Sequence, residues 1–264
     1  MHDGWMRLTS HVDLLHSIIV DQHTSVMQAS PDAATVFRRV HSLGALVQRW
    51  EFEQTIQGFD EMSIVEIHKG MAADLGRWVQ SEGLDVFLSE PEQGLLTTPL
   101  GHWKPDLIEL IGWQLEPLGI FAWAISLIKS LPPYDRRFSH DDLLMRLRIG
   151  KPLQVPATLR LRTAAELQTA HRIAQLWDWR AQLAQRPRGA DLPHPADPMN
   201  PAGSPASIAE QAANAWKEGL LPEPIDQDFP AFGRAYASMS RQQVELLAAI
   251  AEQRAAALRW LCGQ

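Results

Sequence analysis

The chain has 264 residues, with 45% hydrophobic and 21% charged side chains and a formal charge of −7. That composition supports a full core and excludes an intrinsically disordered chain. The net negative charge argues against general nucleic-acid binding and suits a soluble protein, or one with a basic partner. Ten tryptophans stand against two tyrosines, and indole N–H groups require polar seams in the core. Cys262 is the sole cysteine, so no internal disulfide forms and a reducing cytoplasm is expected. The opening MHDGWMRLTS has neither the basic nor the apolar region of a secretory signal.

Helix signals dominate in chain order. The periodicity predicts helices near 9–27, 31–56, 63–81, 104–115, 117–130, 140–148, 164–186, 207–219 and 241–262, with a short turn of helix near 90–96. Capping boxes are expected at Ser63-Ile-Val-Glu66, Ser89-Glu-Pro-Glu92, Thr163-Ala-Ala-Glu166, Ser207-Ile-Ala-Glu210 and Ser240-Arg-Gln-Gln243. Ser30-Pro31 offers a further cap with proline at the first helical position. Ile64, Ile67, Met71, Leu75, Trp78 and Val79 make one apolar stripe; Val244, Leu247, Ala251, Leu258 and Leu261 make another. Strand signals are nearly absent. Leu153–Arg162 alternates, but Pro156 limits it to a short edge strand.

The expected fold is therefore all-α: one domain of about nine helices spanning 1–264, with 1–30 as an N-terminal extension. Pro187–Pro205 holds six prolines and two glycines, so it reads as a long surface loop.

The most apolar stretch is Leu107–Ile128, 22 residues with only Glu109 and Glu116 charged. Its length suits a membrane span. Glu116 near its centre would cost roughly 2.5–3.5 kcal/mol on insertion scales, and Pro117 follows at once. Two buried helices meeting at Glu116-Pro117 are expected instead, and no membrane association.

Glu116 must be paired, neutral or part of a site. Arg254 falls on the buried stripe of the last helix, and Arg180 on a stripe with Ile173, Leu176 and Leu183. Asp178 and Glu252 are further acids within reach in sequence. Both arginines are expected to be buried, with at least one in salt-bridge reach of Glu116, Asp178 or Glu252. The cluster is either an anion or substrate pocket or a structural pin between helices.

No metal or cofactor is expected. His11 and His16 are five apart and face different sides of a helix, His140-Asp141-Asp142 reads as a helix start, and there is no HExxH or cysteine pair. No GxSxG, GxGxxG or GxxxxGK[ST] pattern occurs. Cys262 reads as packing. Arg136–Arg162 carries seven basic residues against two acids, a solvated basic edge or a contact for phosphate or an acidic partner.

Glu116-Pro-Leu-Gly-Ile-Phe-Ala-Trp-Ala-Ile-Ser-Leu-Ile-Lys-Ser-Leu-Pro-Pro-Tyr-Asp135 resembles a bacterial domain-of-unknown-function family, number 4272. Asp228-Phe-Pro-Ala-Phe-Gly-Arg234 and Ala251-Glu-Gln-Arg-Ala-Ala-Ala-Leu-Arg-Trp-Leu-Cys-Gly263 resemble it too. Leu159–Glu166 and Leu176-Trp-Asp-Trp-Arg180 fit between them, so the resemblance runs from about residue 36 to the end. It implies no activity. It does imply Glu116, Trp123, Trp179, Arg180, Glu252, Arg254 and Trp260 as signature positions, with Trp177 beside them as aromatic lining. The last helix departs from the pattern, which has His where Ala255 stands and Asn where Arg259 stands.

Two functions are compatible with these features. One is a non-catalytic cytoplasmic binding protein, of accessory or immunity type, that masks a basic partner. The other is an enzyme or anion-binding module built on the Glu/Arg cluster.

Overall fold

The structure is a computed structural model, and it describes residues 30–59, 61–186, 198–199 and 207–264. The expected helix at 9–27 lies outside those residues, as does nearly all of the expected loop at 187–205. Among the described residues the fold is predominantly α-helical, with nine α-helices and one two-stranded sheet. The helices are α1 (Ala33–Gln57), α2 (Met62–Ser81), α3 (Glu90–Thr97), α4 (Pro105–Gly112), α5 (Leu115–Ala124), α6 (His140–Leu147), α7 (Ala164–Gln185), α8 (Ile208–Lys217) and α9 (Arg241–Cys262). No described helix is long and apolar enough to cross a membrane.

Helix starts follow the side chains that can satisfy free backbone N–H groups. Ser89, Thr163, Ser207 and Ser240 each close a capping box with Glu92, Glu166, Glu210 and Gln243. Two expected caps are displaced. At α1 the cap is Asp32, whose carboxylate accepts from the Thr35 N–H, because Ser30 lies two residues too early. At α2 the helix begins one residue ahead of Ser63, so its hydroxyl is already inside the first turn. Glu61 is then the N-cap without a side-chain cap.

The residues group into two compact units. Of the described residues, one contains those up to Lys129 together with Phe138–Leu161; the other contains Ser130–Arg137 and those from Arg162 onward. In the first, α1 is the hub, packed on α2 through α6. Its buried Val36, Val40, Leu43, Leu46 and Phe52 supply the stripe that the shorter helices cover. Ala45, Phe52, Leu75, Trp78, Val79, Leu84 and Leu88 form one cluster; Leu46, Leu95, Trp103, Ile108 and Ile111 form a second. Arg39 ties α1 to α3, with Nη1 and Nη2 donating to the Glu92 carboxylate at 2.7 and 2.9 Å.

The apolar run at 107–128 breaks into α4 and α5, with Trp113 and Gln114 between them. Every residue of α5 is buried. A Cβ at Gly119 would stand 2.4 Å from the Phe138 ring, so only glycine lets that ring lie on the helix.

In the second unit α7 and α9 pack along their lengths. Instead of a strand at 153–162, where Pro156 begins a turn closed by the Leu159 N–H, the strands are β1 (Pro230–Ala231) and β2 (Arg234–Ala235). They pair antiparallel around Phe232-Gly233, both with positive φ. Just before them Ile225 pairs with Asp228 around Asp226-Gln227, also both with positive φ. These are the dihedrals of two-residue hairpin turns.

Candidate functional site

The residues of the expected Glu/Arg cluster are drawn from both units. Glu116 belongs to the first, on the opening turn of α5, fully buried, with Oε1 accepting from the Phe138 N–H at 3.2 Å. Glu109 is exposed and carries no such burden. Asp178, Arg180, Glu252 and Arg254 belong to the second unit.

There Arg180 meets an acid outside the expected set. Its Nε and Nη2 donate to the two carboxylate oxygens of Asp228, both at 2.7 Å, and its guanidinium lies 4.3 Å from the centre of the Tyr236 ring. Asp228 also accepts from the Phe229 N–H at 2.8 Å and the Ala237 N–H at 2.9 Å. Burial would raise its pKa, but Arg180 and those two amides reverse the effect, so it lies below the usual 3.8. Asp178 instead accepts from Gln182 at 2.9 Å, and burial pushes its carboxyl up.

Arg254, buried like Arg180, reaches the strap Ser130–Arg137. Nη1 donates to the Pro132 carbonyl at 2.7 Å and Nη2 to the Arg136 carbonyl at 2.9 Å, with the Tyr134 ring 4.7 Å away. Tyr134 stacks on Trp177, with ring centres 5.1 Å apart, and Asp135 accepts from the Phe232 N–H. Glu252 is exposed on the other side of α9. Of the expected aromatic lining, Trp123 is buried in the first unit, Trp177 and Trp179 in the second, and Trp260 is half-buried.

The Arg180–Asp228 pair is thus bidentate, buried and closed by backbone donors. Its chemistry is to hold the hairpins against α7. Beside it, Tyr236 has its pKa pushed up to about 12 by burial, so its hydroxyl keeps its proton near neutral pH. His171, buried on α7, is pushed down to about 4, first by burial and then by the Arg259 charge. Among the described residues, no group of three or more His, Cys, Asp or Glu side chains is placed to hold a metal ion.

Two features of the first unit were not expected. The α2 stripe is covered only in part, with Ile64 half-buried. Leu75, Trp78 and Val79 are buried, while Met71 is 45% and Ile67 60% exposed. Met62 at 80% and Phe59 at 51% are exposed as well, but Met62, nine residues before Met71, lies on the opposite face of α2. The surrounding sequence is acidic: residues 51–92 hold ten carboxylates against two cations, a local −8. The rest of the chain is therefore +1, so the net negative charge resides in this stretch. Glu61, Glu66, Asp74 and Glu90 are among its exposed acids.

The second feature is an open cleft of about 430 Å³ lined by Lys69, Ala72 and Ala73 of α2, Leu96 to Leu100, His102 and Arg49. At its floor Arg49, almost fully buried, meets Glu53 at 2.8 Å and donates to the Thr98 carbonyl at 3.0 Å. Its guanidinium lies 4.9 Å from the Trp103 ring. Burial lowers the Arg49 pKa against the pull of Glu53. Glu53 in turn accepts from the Gly101 N–H. The signal was present: Ser42, Leu46, Arg49 and Glu53 follow the spacing 4, 3, 4 that marks Arg254.

Comparison with known proteins adds no relative: no family model, no curated protein and no solved structure matches the chain.

Proposed function

We propose that this is a non-catalytic binding protein that docks a basic, amphipathic helical segment of a partner protein on the first half of α2. The observation that carries the reading is the coincidence of an uncovered apolar stripe and the whole net negative charge of the chain in one segment. Contiguous exposed apolar surface marks interaction sites. A partner helix lays anchors at i, i+3 or i+4 and i+7 into such a face. The flanking carboxylates speed encounter and select lysine- and arginine-rich partners.

The polar cluster of the second unit supports the same reading. Asp228 accepts four hydrogen bonds and Arg180 is committed to it, as expected of a structural pin. The resemblance to family 4272 supplies no activity that competes with binding. The acidic apolar face supports an accessory or immunity-type role, masking a basic partner.

The test is a titration with a fluorescent synthetic amphipathic helix of leucine and lysine. Saturable binding that weakens with salt and falls at least about tenfold in the Ile67→Gln/Met71→Gln variant is the expected result. No binding, or equal binding by the variant, would refute the reading.

A further inference from the structure

The cleft over Arg49 has no part in that docking face, and its chemistry points elsewhere. Its walls are Ala72, Leu96, Pro99 and Leu100, so most of a ligand's body would meet apolar surface. At about 430 Å³ it lies within the range of small-molecule pockets. Its cations are not equivalent. Arg49 is ion-paired with Glu53, donates to the Thr98 carbonyl and is almost fully buried, so its charge is already compensated inside the protein.

Lys69 is different. Its partner Glu66 meets it at 2.7 Å on the open surface, with both side chains at least half exposed. Such a pair is weak enough to be exchanged for a ligand anion. One accessible lysine suits one negative charge and does not suit a di- or triphosphate. The hydroxyls of Thr97 and Thr98 both donate to the Gly94 carbonyl. What they offer the cleft is therefore acceptor lone pairs.

We propose that this cleft binds a small organic monocarboxylate with an apolar body and a hydroxyl or N–H donor, the pattern of a hydroxyaryl carboxylate. The carboxylate meets Lys69, with His102 beside it. The ring lies against Leu96 and Leu100, and the donor reaches Thr97 or Thr98.

The experiment is isothermal titration of the full chain with 4-hydroxyphenylacetate, its methyl ester and inorganic phosphate. Binding of the acid is expected, with loss of at least about tenfold for the ester, for Lys69→Gln and for Ala73→Leu, which fills the cleft from an exposed helical position. Phosphate, lacking the apolar body, is expected to bind at least about tenfold more weakly. Circular dichroism confirms that both variants fold. Absence of binding at millimolar acid, or equal affinity of the ester or of Lys69→Gln, overturns the proposal. Ile67→Gln/Met71→Gln leaves acid binding unchanged if the sites are separate. A loss there places the probe on the apolar face and overturns the cleft assignment without touching the docking proposal.

Discussion

Arg180 and Asp228, 48 residues apart in sequence, are joined by two parallel hydrogen bonds of 2.7 Å in the interior of the second unit. Two further backbone N–H groups close the carboxylate, so neither charge is left uncompensated. A buried pair of this kind gains little over an apolar pair, but removing one partner strands the other. Arg180→Ala is therefore expected to cost about 3–5 kcal/mol in urea unfolding. The double variant Arg180→Ala/Asp228→Ala should cost less than the sum of the two single changes. Strict additivity would show that the pair is not coupled.

Arg254 holds the strap Ser130–Arg137 by two carbonyl contacts. Arg254→Ala removes two charge-assisted hydrogen bonds and should cost about 3 kcal/mol. Amide exchange in residues 130–137 should accelerate more than exchange in α7. Uniform acceleration would mean that Arg254 serves general packing instead.

His171 gives a pH signature. Its folded pKa of about 4 lies below the usual 6.5 of a histidine. The unfolded chain therefore binds the proton more readily, and stability falls as pH drops from about 6.5 toward 4. The full effect is about 3 kcal/mol. Asp178, raised above 3.8 by burial, acts in the opposite sense at the lower end of that window. Asp228, held below 3.8, matters only at lower pH. His171→Gln should flatten the stability profile between pH 6.5 and 4 relative to the parent. An unchanged slope would assign the dependence to other groups.

Gly119 and Phe138 make a steric prediction. Gly119→Ala places a methyl group 2.4 Å from the ring, an overpacking that costs about 3 kcal/mol. Phe138→Leu should recover part of that loss in the double variant. If it recovers nothing, the strain lies in the helix and not against the ring.

The helices were legible because their signals are local. Ser89, Thr163, Ser207 and Ser240 cap where the hydroxyl and the acid or amide three residues on predict. The hairpins at 225–235 were not legible, since two-residue strands are too short to show alternation. The burial of Arg180 and Arg254 could be read from helical spacing. Asp228 and the strap carbonyls as partners could not, because they come from loops 48 and 118–122 residues away in sequence. The uncovered part of α2 was hidden for the opposite reason. Its stripe is regular from Ile64 to Val79, and periodicity shows which face is apolar but not where the covering elements stop.

Methyl NMR of the full chain labelled at Met and Ile side chains reads the docking face residue by residue. On addition of a leucine/lysine amphipathic helix, the methyls of Ile67 and Met71 should shift or broaden while buried Ile111 and Ile250 stay in place. Shifts confined to methyls elsewhere, with those of Ile67 and Met71 unmoved at saturating peptide, would contradict the proposed function.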